Sequence, residues 1–317
     1  MAVPRQDGVA VAAEALSRPD SLLRKRTVEG RLERFRMSER DKLLSRRDFA
    51  IGTVVAGLAV GGADAMPARA VTARSVEVPT KDGQCDAWLV HPEQPRPAPG
   101  VIFFPDFFGL RPVKIDMARR LAAHGYAVLV VNQFYRLGKA PVLPPGFNFA
   151  DPAGMARGMR MIDDLDHERV TRDALAFAAF LDAAPEVDRR KKMGVVGFCM
   201  GGPMAIRAAA ALPDRVGAVV SFHGGRLVTD EATSPHKLIA GTKAAYHIAI
   251  AADDDEKEPE TRTILDRALA SAARPYTIEV YAGAKHGWMV PDMPVYDERQ
   301  AERGWAAMLG LYGKALA

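Results

Sequence analysis

From about Ser75 onward the chain alternates two kinds of hydrophobic pattern. One kind is a short continuous apolar run: "GVIFFPD" (100–106), "YAVLVVNQF" (126–134), "KMGVVGF" (192–198), "VGAVVSF" (216–222), "YHIAIA" (246–251) and "YTIEVYAG" (276–283). Runs of this length, rich in β-branched residues, predict strands buried on both faces. The other kind has apolar residues at helical spacing. It covers "PVKIDMARRLAAHG" (112–125), a stretch near 152–162, "RVTRDALAFAAFLDAAP" (169–185) and "MAIRAAAAL" (204–212). It returns in "PETRTILDRALASAA" (259–273) and "YDERQAERGWAAMLGLYG" (296–313). Ahead of these, "SVEVPT" and "CDAWLVHP" flank Lys81-Asp82-Gly83, a turn signal, and predict a hairpin. Residues 138–150 are rich in Pro and Gly and read as a loop, as does the acidic run "DDDEKEP" (253–259). Strands covered on both faces and separated by helices predict an α/β fold with a mostly parallel central sheet.

The first seventy residues break this pattern. Arg46-Arg47 is followed by an uncharged run from Phe49 to Ala63 and then by Ala68-Arg69-Ala70. A basic stretch, a short apolar stretch and a small-x-small site in that order predict an export signal. Ser45-Arg46-Arg47-Asp48-Phe49 resembles the twin-arginine type, which implies a periplasmic or secreted protein. The apolar run falls short of the roughly 20 residues of a membrane span, so no stable membrane insertion is expected beyond the signal. The expected organisation is residues 1–70 as extension and signal, and 71–317 as one domain. The formal net charge of +4 lies entirely in the first seventy residues, which leaves the rest balanced. A neutral body argues against nucleic-acid binding, which needs a basic face. Two cysteines, Cys85 and Cys199, are too few for a disulfide framework or a Cys-rich zinc site.

Cys199 stands in Gly197-Phe198-Cys199-Met200-Gly201, between a predicted strand and a predicted helix. This is the G-x-nucleophile-x-G elbow with cysteine as nucleophile. The glycines permit a sharp turn, and the Met200 amide at the helix start can face a developing oxyanion. An elbow of this kind needs a later acid and then a histidine. His286 follows the last strand, and Asp254 or Asp255 follows the strand "YHIAIA". Of the two acids, spacing from the strand favours Asp254 and distance from Pro259 favours Asp255.

Together these residues resemble the dienelactone hydrolase family of α/β-hydrolases, from about Ser75 to the C-terminus. "DGQCDAWLVHP" resembles the family's opening hairpin, and "VIFFPDFFGLRP" its strand, acid and aromatic-Phe-Gly segment. "NQFYRLG" resembles its tyrosine-containing loop, and "GFCMGG" matches its elbow. The resemblance implies an α/β-hydrolase fold, hydrolysis of a small ester or lactone (carboxymethylenebutenolidase-like) and no cofactor or metal. It implies a Cys199-His286-Asp triad working through a thioester, with an oxyanion hole from the amides of Met200 and Phe107. It also implies an acid, here Asp106, hydrogen-bonded to the resting nucleophile; the family usually has Glu there. Family arginines that hold a substrate carboxylate fall at Val290 and near Leu137 in this chain. Arg136 is adjacent, so Tyr135, Arg136 and Trp288 are the expected substrate-binding residues, with Trp288 and Phe107 giving an apolar mouth. Two other classes fit parts of the pattern: a silent binding protein on the same fold, and a periplasmic thiol protein using Cys85 and Cys199.

Overall fold

The computed structural model describes residues 69–317 except 145, 146, 149 and 150. The expected signal segment, Arg46 and Arg47 included, lies outside the described residues. The chain divides into two units. The larger, Gly61–Phe147 with Arg157–Ala317, carries the sheet. Of the smaller, Met1–Val60 with Asn148–Ala156, the described part includes the start of helix α2 (Pro152–Asp163).

The eight strands are β1 (Val71–Thr80), β2 (Gly83–Pro92), β3 (Gly100–Phe104), β4 (Ala127–Val131), β5 (Met193–Phe198), β6 (Val216–Phe222), β7 (Ala245–Ala251) and β8 (Tyr276–Tyr281). Their order in the sheet is β1-β2-β4-β3-β5-β6-β7-β8. β1 and β2 pair antiparallel, as do β2 and β4; all other neighbours are parallel. This is the α/β-hydrolase arrangement.

Alternation along β3 shows why the apolar runs are continuous. Val101 and Phe103 enter a core shared with Leu121 of α1 (Pro112–Ala123) and with Trp305 and Met308 of α8 (Glu298–Ala315). Phe104 points the other way and meets Phe177 of α3 (His167–Ala183) at 6.2 Å. A strand with helices on both sides must be apolar at every position. Helix α3 starts at His167, two residues before the pattern predicts, because Asp166 caps it by accepting from the Arg169 amide at 2.8 Å. β1 likewise begins at Val71, ahead of Ser75, because its partner β2 extends to Pro92. The acidic run is also more ordered than a loop: it forms the short helix α6 (Ala252–Lys257). The remaining helices are α4 (Gly201–Ala211), α5 (Pro235–Leu238) and α7 (Pro259–Ser271).

His247 of β7 is a buried polar residue inside this sheet. Its Nδ1 pairs with Thr277 Oγ1 at 2.7 Å and its Nε2 with Tyr281 Oη at 3.2 Å. Burial pushes its pKa down to about 4. Unfolded histidine takes a proton near pH 6.5, which the folded ring refuses until about pH 4. Stability is therefore full above pH 6.5 and falls as the pH drops toward 4, by about 3 kcal/mol from this group. Urea denaturation at pH 7 and pH 4.5 should show this loss, and His247→Gln, which does not titrate there, should reduce the difference.

Candidate active site

The site stands at the carboxyl ends of the parallel strands, where loops from β3, β5, β6, β7 and β8 meet. Its centre is the β5–α4 turn. Cys199 has φ +54°, a left-handed backbone that costs a non-glycine residue on the order of 1–3 kcal/mol. Two glycines make the turn possible. A Cβ on Gly197 would stand 1.9 Å from the Gly201 carbonyl oxygen, and one on Gly201 would stand 2.4 Å from the Phe104 carbonyl oxygen. The Cys199 amide donates to Phe222 O at 3.0 Å. Its carbonyl accepts from the amides of Gly202 at 3.0 Å and Gly225 at 3.3 Å. The Cys199 backbone is thus tied to both flanking elements while the residue remains partly accessible. Met200 follows at the N-terminal end of α4, where the helix dipole is positive.

The β7 and β8 loops supply the other two groups. Ala252 N donates to Ala284 O at 2.9 Å, which joins the loops at their base. His286 Nδ1–H donates to Asp254 Oδ2 at 2.6 Å. The His286 amide donates to Asp253 Oδ1 at 2.8 Å. Asp255 faces Arg262 instead, at 3.7 Å. Burial alone would lower the His286 pKa, but the charge of Cys199 and hydrogen bonds to Asp254 and Cys199 raise it well above the usual range. The structure thus joins His286 to Asp254 at Nδ1 and brings Cys199 close enough to act on the same imidazole. Asp253 is a contact that sequence reading missed; its neighbours in the acidic run offered no way to tell a clamp on the backbone from a solvated carboxylate.

Asp106 departs from the expected role beside the thiol. Its Oδ1 accepts from Arg111 at 2.7 Å and from the Phe108 amide at 2.9 Å, and its Oδ2 accepts from Arg111 at 3.0 Å. Lys114 Nζ, fully buried, forms an ion pair with Oδ2 at 2.7 Å, although its angles are poor for a hydrogen bond. Burial would raise the Asp106 pKa; Lys114 and Arg111 outweigh it and hold the carboxyl well below the usual range. No hydrogen bond to Cys199 appears among these contacts, because both oxygens are taken up by cations and backbone. Gln133 Nε2 also donates to Asp106 O at 2.8 Å. Asp106 therefore shapes the loop that carries Phe107. The Phe107 ring is 2% exposed and packs against Phe134 and Phe147.

The three expected substrate contacts are also placed differently. Arg136 is held by Asp173 at 2.7 and 2.9 Å and by Asp82 at 2.7 and 2.9 Å. Two carboxylates thus satisfy its guanidinium. Tyr135 shares that network, pairing with Thr80 Oγ1 at 2.7 Å and donating to Asp173 Oδ1 at 2.9 Å. Trp288 does not line a mouth: it is fully buried and stacks on Tyr281 at 4.4 Å. Val290 is buried as well, whereas Leu137 is exposed. Among the described residues no three His, Cys, Asp or Glu side chains cluster as metal ligands, and no helix is long and apolar enough to cross a membrane.

The two thiols are separate and differ in environment. Cys85 is fully buried, and burial, with the charges of Asp86 and Asp173, pushes its pKa far up. Only the thiolate reacts with an alkylating agent. Native protein treated with iodoacetamide at neutral pH should gain one adduct, at Cys199, and a second only after denaturation. Mass spectrometry showing both cysteines labelled at similar rates in native protein would contradict this arrangement.

Comparison with known proteins agrees with the fold. Residues 85–316 match the model of the dienelactone hydrolase family. A carboxymethylenebutenolidase of Rhodococcus opacus is 30% identical over 190 residues, covering 60% of this chain and 69% of the relative. The structure of a dienelactone hydrolase-like promiscuous phosphotriesterase from metagenomic libraries superposes with a TM-score of 0.65 at 27% identity, over 78% of this chain and all of that one. A dienelactone hydrolase from Anabaena variabilis, at 18% identity and a TM-score of 0.55, shares the fold over 78% of this chain and 99% of its own. An α/β-hydrolase sheet, a glycine-flanked cysteine elbow and a family match over most of the chain lead to one conclusion: the chain belongs to the dienelactone hydrolase family and is a hydrolase.

Proposed function

We propose that the protein hydrolyses small carboxylic esters or lactones through a thioester on Cys199. The observation that carries this reading is His286, hydrogen-bonded to Asp254 and acted on by Cys199, a cysteine held at positive φ. The relative from Rhodococcus, named a carboxymethylenebutenolidase, supports the lactone class. In the first half-reaction the Cys199 thiolate attacks the acyl carbon and forms a C–S bond. The amides of Met200 and Phe107 receive the negative charge that develops on the carbonyl oxygen. As the intermediate collapses, the C–O bond breaks and His286 gives its proton to the leaving oxygen. In the second half-reaction neutral His286 takes a proton from water. The hydroxide attacks the thioester, the acid departs, and the thiolate–imidazolium pair is restored. Asp254 keeps the ring in the tautomer with hydrogen on Nδ1 and stabilises its charged form.

Activity separates the two acids. Cys199→Ala and His286→Ala should each lower kcat/KM by about 1000-fold or more, and Asp254→Asn by about 100-fold. Asp255→Asn should stay within about threefold, since its nearest cation is Arg262. Equal losses in the two aspartate variants, or full activity in Cys199→Ala, would overturn the reading.

The same site favours neutral substrates. A carboxylate entering it loses water and needs a charged partner in return. Arg136 already serves Asp82 and Asp173, and position 290 holds a buried valine. A methyl ester should therefore be hydrolysed with higher kcat/KM than the corresponding free acid, and Arg136→Ala should leave that ratio unchanged. A free-acid preference that vanishes in Arg136→Ala would show that this guanidinium leaves its partners to bind substrate.

A further inference from the structure

His223 follows β6 and touches the catalytic machinery without entering the reaction described above. Three features set it apart. Its φ is +40°, a left-handed backbone in which histidine, unlike the other ring-bearing residues, is enriched. Its side chain is buried, with the residue 1% exposed, and neither ring nitrogen has a protein hydrogen-bond partner. Its ring lies 5.0 Å from that of His286, centroid to centroid, at 67°. Strain and unmet polar atoms both cost stability, and their coincidence at one residue beside a reacting group calls for a functional account.

We infer that His223 is a positioning residue for His286, a buried neutral ring that sets the plane of the catalytic imidazole. The inference rests on His286 being the base of the proposed reaction. Asp254 holds the imidazole at Nδ1 and Asp253 holds its backbone amide. Neither bond alone resists small tilts of the ring about the Asp254 contact. A side-on contact does, provided that the contact itself is rigid. His223 meets that condition. Its amide donates to Ala249 O at 2.8 Å, within the sheet. Its ring is backed by Phe198 at 6.2 Å and Trp288 at 6.3 Å. Trp288 in turn meets Phe222 edge-on at 5.9 Å and stacks on Tyr281. The catalytic imidazole is thereby referred to the hydrophobic core through a row of rings.

Charge requires that this ring be neutral. The titratable groups acting on His223 are His286, Lys114 and Asp106. Burial lowers its pKa most; His286 and Lys114 lower it further, and Asp106 opposes them, so the ring is still uncharged at the pH where His286 takes its proton. Two adjacent cations would drive the proton off His286 or push the rings apart.

The test compares His223→Asn with His223→Phe. Asn tolerates positive φ and removes the ring; Phe restores a neutral ring without the nitrogens. Two readouts are taken: steady-state kinetics on an ester, and the pH profile of Cys199 alkylation by iodoacetamide. In His223→Asn, kcat should fall at least tenfold with KM within twofold, and the alkylation profile should move toward alkaline pH, because His286 no longer stands in register with the sulfur. Folded His223→Phe should recover kcat to within threefold of the parent and restore the profile. Thermal melting monitors folding in both. An unchanged kcat and profile in His223→Asn would overturn the inference. A fall in melting temperature with an unmoved alkylation profile would also overturn it, by showing a purely structural role. Folded His223→Phe as impaired as His223→Asn would overturn it by assigning the effect to the nitrogens. A parent protein that alkylates at Cys199 but hydrolyses no ester would count against the proposed reaction and not against the positioning role, which alkylation reads independently.

Discussion

The close approach of two backbones at the β5–α4 turn is the constraint from which the rest of the site follows. The Gly201 carbonyl lies where a side chain on residue 197 would have to stand, and the Phe104 carbonyl where one on residue 201 would. That closeness forces Cys199 into left-handed backbone and lifts its side chain away from the sheet. The strain is held by hydrogen bonds from both sides, to Phe222 and from Gly202 and Gly225. Because those partners belong to β6, its following loop and α4, Cys199 is fixed by the parallel sheet as a whole. The loops of β7 and β8 can then bring Asp254 and His286 to set positions beside it, since their strands are the sheet's next two members.

Buried charge forms a second level of organisation. Asp106, Arg111 and Lys114 sit beneath the loop bearing Phe107, with Asp292 closing the group through Arg111. Removing one member of such a group typically costs 3–5 kcal/mol, about as much as a well-buried leucine contributes at most. Its geometric effect is equally specific. With both carboxylate oxygens engaged, Asp106 holds the loop that carries Phe107. Cys199 is left to His286.

What could be read from the sequence follows from how local each signal is. The elbow occupies five consecutive residues between a strand and a helix, so residue type and spacing suffice. The strand runs are equally local, because burial on both faces marks every position of β3, β4 and β5. The charge pairings are not local. Arg136 meets Asp82 and Asp173 across 54 and 37 residues, and Arg111 meets Asp292 across 181. An arginine near a site looks available in sequence whether or not two carboxylates have claimed it. Trp288 shows the same limit for packing: an aromatic two residues after the catalytic histidine suggests a mouth, and only the stack on Tyr281 shows that it belongs to the core. The choice between Asp254 and Asp255 turned on one helical turn of α6, since adjacent helical residues point about 100° apart. Had the acidic run stayed a loop, neither carboxylate would have been singled out by geometry.

The dependence of chemistry on packing runs through β8 and the turn after it. Tyr281 ends that strand, Ala284 bonds to the start of α6, His286 carries the ring bonded to Asp254, and Trp288 returns to the core. Eight residues thus alternate between anchoring and chemistry. The anchors differ in kind: a sheet ladder, a backbone bond between loops, two carboxylates and an aromatic stack. Each restrains a different degree of freedom of the His286 segment, so loss of one loosens the ring without releasing it. A rate that depends on sub-ångström placement of a base is sensitive to such loosening well before the fold is. For this reason side chains that never contact substrate, Asp253 and Trp288 among them, belong to the working of the site as much as to the stability of the sheet.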